Sequence, residues 1–155
     1  MRVGYLGPEG TFTQEALMAA AGPAGNLAIA VVAFTLIKIG LVAGWFIAPD
    51  SVSFQHLVAS PVGDGQTFIG EMLSIFLTLN VLLCAFNLIP LPPLDGAAVL
   101  GLFVPEGTAV RLQQLSYSPV FQIVGLVIAW RVFPAIVSPL FSLVLSAVHP
   151  GLGYS

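Results

Sequence analysis

Few residues in this 155-residue chain can do chemistry: seven carboxylates, two histidines and one cysteine. Among the carboxylates, Asp95 has the most unusual setting, the stretch PLPPLDG at 90–96. Pro90, Pro92 and Pro93 remove backbone donors there and drive each preceding residue toward extended geometry, so no helix runs through it. Long apolar runs border this broken segment. Lipid satisfies no peptide groups, so such a backbone is tolerated at membrane depth only where protein buries it or water reaches it. Two roles are open to Asp95. It can cap a helix beginning near Ala97, with Gly96 easing the turn, or it can be a functional carboxylate at membrane depth.

The remaining candidates point to structure. His56, in QHLVAS, and His149, in VHPGLG, are not followed by glutamate, and neither has a second histidine four residues away. The paired ligands and general base of a His-Glu-x-x-His zinc helix are therefore not in the sequence. They read as a loop histidine and a terminal-turn histidine. Glu71, near the start of an apolar run, reads as an interfacial or helix-start residue, and Asn80 and Asn87 as asparagines that bond a neighbouring helix. The single cysteine, Cys84, excludes an intrachain disulfide and a thiolate zinc cage, and reads as a small buried apolar residue.

The elements that must carry these residues follow from composition. The chain is 57% hydrophobic and 7% charged, with a mean hydropathy of +1.01, where a soluble domain has roughly a quarter of its residues charged. Four basic residues offer no surface for a nucleic-acid backbone, so nucleic acid is not an expected partner. Residues 27–48 form a first span, interrupted by Thr35 and Lys38, with Trp45 and Phe46 at the interface and Pro49-Asp50 as its stop. A polar loop follows over 49–66, marked by Pro61 and Gly63-Asp64-Gly65. Residues 68–89 form a second span, 97–103 a weaker helix, 105–107 an exposed turn and 108–117 an amphipathic segment. Over 119–148, Arg131, Pro134 and Pro139 predict a break, with one span near 119–133 and a shorter helix or hairpin after it. The expected class is all-α: a polytopic helical membrane protein with a proline-broken loop at membrane depth. Arg2 and Arg111 flank a hairpin whose loop lacks Lys and Arg, which places both of its ends on the cytoplasmic side. No internal repeat and no secretory signal pattern is expected.

FNLIPLPPLDG, Phe86 to Gly96, resembles the Asn-Pro-Asp-Gly signature of the site-2 protease family of intramembrane zinc metallopeptidases. AGPAGNL, 21–27, resembles the Gly-Pro and asparagine element that the family carries on an earlier span, and RLQQLSYSPVFQIVGLVIAW at 111–130 fits as well. The resemblance covers about residues 17–150, within which 21–150 is expected to be the membrane domain and 151–155 a tail. It implies a zinc cofactor, transmembrane proteins as substrates, a bacterial plasma membrane, contact with membrane lipid and a possible homo-oligomer. It assigns Asp95 as a zinc ligand, and Asn87, Pro90, Pro93 and Gly96 as shaping its loop, with Asn26 packed against the site. One aspartate does not make a zinc site, since a catalytic zinc has three protein ligands and an open position. No catalytic residue is identifiable without the His-Glu-x-x-His glutamate. The chain alone is therefore expected to hydrolyse nothing, and a non-catalytic membrane module is the competing reading.

The opening, RVGYLGPEGTFTQEA at 2–16, resembles the start of prephenate dehydratase, with Thr11 and Phe12 near the substrate pocket. Locally it predicts a short strand at Val3–Leu6, a Gly-Pro-Glu-Gly turn and a helix capped by Thr13. Residues 1–20 are thus expected to be a fragment of another enzyme joined to the membrane domain by fusion or chimerism.

Overall fold

The computed structural model describes residues 8–101 and 103–151. Its elements are α1 (Pro8–Val42), α2 (Gly63–Asn87), α3 (Asp95–Gly101), α4 (Glu106–Ser116) and α5 (Pro119–Val148). The described residues form no strand, and a single antiparallel bridge joins Ile47 and Ala59. Three stretches are long and apolar enough to cross a membrane: Ala16–Val42, Gly65–Asn87 and Pro119–Val148. The expected class of polytopic helical membrane protein holds. Contacts divide the chain into two compact units, one of residues 1–25 and 84–133, the other of residues 26–83 and 134–155.

Several helix boundaries differ from expectation. α1 is helical from Pro8, the first described residue, so the part of the turn expected over 7–10 that is described is helical and Thr13 lies inside the helix instead of capping it. The strand expected over Val3–Leu6 lies outside the described residues. At its other end α1 stops at Val42, short of Pro49-Asp50. Gly44 takes φ +74°, the Trp45 N–H bonds the Gly40 carbonyl at 2.9 Å, and the Gly44 N–H reaches that of Leu41 at 3.3 Å. This is a Schellman turn, which needs the left-handed conformation that glycine adopts without strain. Beyond it Trp45 is exposed, but Phe46 is buried in the core rather than set at an interface.

Gly63 and Gly65, expected in a loop, belong to the first turn of α2, where the first N–H groups need no intrahelical partner. Likewise the expected turn at 105–107 shrinks to Pro105, the N-cap of α4, and Glu106 and Gly107 are helical. The largest departure is α5, one helix of 30 residues that runs through Pro134 and Pro139. Each proline removes one hydrogen bond and crowds one preceding carbonyl. Membrane helices accommodate that loss through local adjustment and neighbouring donors, so the expected break does not form.

In the unit of residues 26–83 and 134–155, α1 presents Ala30, Ala33 and Ile37 at helical spacing to a core with Leu57, Val58, Leu77, Val144, Leu145 and Val148. Small residues let helices approach closely where lipid offers no hydrophobic drive. The two polar interruptions of α1 are satisfied. Thr35 Oγ1 donates to the Val31 carbonyl at 2.7 Å. Lys38 Nζ donates to the Val148 carbonyl at 3.1 Å, capping α5 with the charge its carboxyl end favours. Asn80 does not bond a neighbouring helix: its amide donates to Phe76 of its own helix at 2.8 Å. Leu57, in the loop between α1 and α2, is held by two buried side chains. Its N–H donates to Ser74 Oγ at 3.1 Å and its carbonyl lies 2.7 Å from His149 Nε2.

Candidate metal and substrate site

The chemistry-bearing loop belongs wholly to the unit of residues 1–25 and 84–133. α2 ends at Asn87, and Leu88 to Leu94 form tight turns in which the Leu91 N–H bonds Ile89 at 2.8 Å and the Leu94 N–H bonds Leu91 at 2.9 Å. The Pro92–Pro93 peptide is cis. Backbone approach fixes this loop on two sides. A Cβ at Gly96 would collide with the carbonyls of Leu88 and Ile89, and one at Gly125 with the carbonyl of Pro92. Both positions thus require a residue without a side chain. Phe86 on α2 and Phe133 on α5 meet edge to face with centroids 5.1 Å apart, closing the base of the loop.

Asp95 is the first residue of α3, so its carboxylate lies in the first helical turn, where negative charge is favoured. The helix expected to begin near Ala97 therefore begins at Asp95 itself, which stands inside its first turn, half-buried, and its carboxylate caps no backbone N–H among the described residues. Gly22 on α1 comes against it: a Cβ built at Gly22 would stand 3.0 Å from Asp95 Oδ2. The Gly-Pro element and the Leu-Asp-Gly element, far apart in sequence, meet here.

Asp95 borders a cavity of about 230 Å³. Pro93, Leu94, Ala97 and Ala98 line it beside Asp95, Ala16 of α1 contributes a buried wall, and Ala109, Gln113, Ser116, Tyr117 and Gln122 close the remaining side. Residue type did not single out these polar residues, because glutamine and serine rarely announce chemistry. The signal available was the amphipathic segment at 108–117, whose polar side faces the cavity. Gln122 Nε2 donates to the Ser116 carbonyl at 2.8 Å, fastening the start of α5 to the end of α4.

The other expected site residues distribute as follows. Pro93 lines the cavity and Gly96 packs beneath the loop. Asn87 closes α2, half-buried, and Pro90 is exposed; neither lines the cavity. Asn26 lies on α1, half-buried, in the other unit. His56, Glu71 and His149 belong to that other unit as well. His56 Nε2 sits 3.3 Å from Glu71 Oε1, both partly exposed, and Glu71 lies more than two turns into α2 instead of at the helix start expected for it.

Among the described residues no group of three or more His, Cys, Asp or Glu is placed to hold a metal ion. A catalytic zinc takes three protein ligands of those types. The cavity supplies one carboxylate, and its amides and hydroxyls are poor substitutes, so the described residues do not by themselves fit a catalytic zinc. What they do provide is a single anionic oxygen donor beside polar groups able to bond peptide.

The chain is similar to a Bacillus subtilis (strain 168) protein named "Putative zinc metalloprotease YwhC", 34% identical over 98 residues. The match takes in 63% of this chain and 38% of that protein. The chain thus spans well under half the length of its curated relative. No family model matches the chain, and no solved structure matches it.

Proposed function

We propose that this chain is the aspartate-bearing part of a membrane-embedded zinc metallopeptidase of the site-2 protease class. Asp95 serves as one metal ligand, and the remaining ligands come from a His-Glu-x-x-His segment outside these 155 residues. The observation that carries this reading is the approach of Gly22 to Asp95 Oδ2, which unites the two sequence elements that resemble the family. The similarity to a protein named as a zinc metalloprotease supports it. Substrates on this reading are membrane proteins of a bacterial plasma membrane. The polar side of the cavity, from Gln113 to Gln122, binds backbone groups of the substrate near Asp95. Pro93 and Gly96 hold the loop in place, Asn87 and Pro90 set its entry, and a homo-oligomer is compatible with the exposed apolar helices.

The test is zinc content. The chain purified alone is expected to carry no stoichiometric zinc, and the chain co-purified with a membrane segment bearing His-Glu-x-x-His is expected to carry one zinc that Asp95→Ala removes. Zinc retention unchanged by Asp95→Ala in the co-purified pair would end the ligand assignment.

A second reading is a non-catalytic membrane module that binds substrate helices or partners. The absence of a metal-holding group among the described residues favours it for the chain on its own. Failure of any His-Glu-x-x-His segment to associate with the chain, with transmembrane partners still captured, is the outcome that selects this reading. A prephenate dehydratase fragment remains only as a resemblance of residues 2–16, and prephenate turnover by the purified chain is not expected.

A further inference from the structure

The cavity beside Asp95 owes its space to four alanines from three helices, Ala16 of α1, Ala97 and Ala98 of α3 and Ala109 of α4. Ala16, Ala97 and Ala109 are buried, so this part of the wall is solid. At about 230 Å³ the cavity exceeds the roughly 150 Å³ of an apolar cavity that takes up benzene. One aromatic side chain fits it.

Its level along the spans narrows the source of that ring. Ala16 is the first residue of the first span, the loop that bears Asp95 follows Asn87, the last residue of the second, and Gln122 lies in the first turn of the third. The cavity therefore stands at the ends of the spans, not midway along them. Tryptophan and tyrosine concentrate at that level in membrane proteins. A helix that ends there also leaves backbone groups without intrahelical partners. Ser116 Oγ already donates to the Leu112 carbonyl at 2.9 Å and Gln122 Nε2 to the Ser116 carbonyl at 2.8 Å, so the two side-chain oxygens can accept from a peptide N–H.

We propose, resting on the reading of this chain as part of a membrane peptidase, that the cavity receives an aromatic side chain from the membrane-surface end of a substrate's transmembrane segment. The alanine wall then selects which residue of the substrate stands beside Asp95, and Ser116 and Gln122 bond the backbone next to that ring.

Cys84→Ala removes the one native thiol, and Ala98→Cys in that full-length background puts a reporter on the partly exposed edge of the wall. The protein is reconstituted in phosphatidylcholine vesicles with a lysine-flanked, single-span polyleucine peptide that carries Trp or Ala at its interface position, and the rate of modification by N-ethylmaleimide is measured. The Trp peptide is expected to slow modification at about tenfold lower mole fraction than the Ala peptide, a modest part of what filling a cavity of this size returns. Gly107→Cys, at an open position on α4, is the control and should react at the same rate with either peptide or none. Equal protection by the two peptides, protection by neither, or equal protection at position 107 overturns the proposal. Ring-dependent protection that vanishes once a His-Glu-x-x-His segment is co-purified shows that segment seated in the cavity, and overturns it as well. The assay uses no zinc, so its failure leaves the zinc test of the proposed function standing, and failure of the zinc test leaves this one readable.

Discussion

The backbone of Gly22 lies against the carboxylate of Asp95, leaving 3.0 Å between Oδ2 and the place a Cβ would occupy. That separation is tight for a methyl group, yet the far atom is the end of a side chain that can turn. Gly22→Ala is therefore expected to gain roughly 0.5–1 kcal/mol of helix propensity and lose a comparable amount by displacing the carboxylate. In the Asp95→Ala background the loss disappears. A double-mutant cycle on unfolding in detergent should show coupling of at least about 0.5 kcal/mol between the two positions; additivity would mean that they do not touch.

Gly96→Ala and Gly125→Ala meet backbone carbonyls, which cannot swing aside. Each is expected to destabilise the protein by about 1–3 kcal/mol or more, the range for forced overpacking. Denaturant midpoints in detergent measure this. Gly107→Ala, where a Cβ meets no atom within 4 Å, is the control and should be neutral or stabilising.

Ser74→Ala leaves the Leu57 N–H without its buried acceptor. A stranded buried donor costs about 1–3 kcal/mol, so loss of stability is expected together with faster hydrogen exchange at the Leu57 amide. Unchanged exchange at Leu57 would contradict the hydrogen bond.

Thr78 Oγ1 is buried on α2 and makes no hydrogen bond among the described residues. Thr78→Val keeps the branched shape and removes a polar group that has nothing to bond. A gain of about 1 kcal/mol is expected as a higher thermal midpoint. A lower midpoint would reveal a partner for the hydroxyl.

The spans were legible because hydropathy reports directly on what lipid accepts, and the break over 90–94 because proline chemistry is local. The stop of α1 was equally local, but Gly44 carried it and Pro49 drew attention away, since a glycine inside an apolar run looks like one more small residue. α5 misled for the opposite reason: the rule that proline ends helices comes from water, where a freed carbonyl has an easy alternative, and Pro134 and Pro139 stand in a helix that lipid holds together. GPEG misled because it reads as a turn in isolation, whereas Pro8 to Gly10 are helical. At the site, Asp95 stood out by its setting. Its approach to Gly22 did not follow from any spacing, and only resemblance suggested that the two elements belong together. Gln113, Ser116 and Gln122 were hidden by their ordinary chemistry until the cavity gave them a common direction.

Leu57 and His149 are separated by 92 positions in the chain. During synthesis from the amino end, the loop that contains Leu57 is made long before its second anchor exists. Until α5 has been completed and His149 has left the ribosome, the Leu57 carbonyl can be served only by water or lipid headgroups. The segment between α1 and α2 therefore reaches its final form after α5 is delivered, so the order of membrane insertion and the order of structural completion run in opposite directions along this part of the polypeptide.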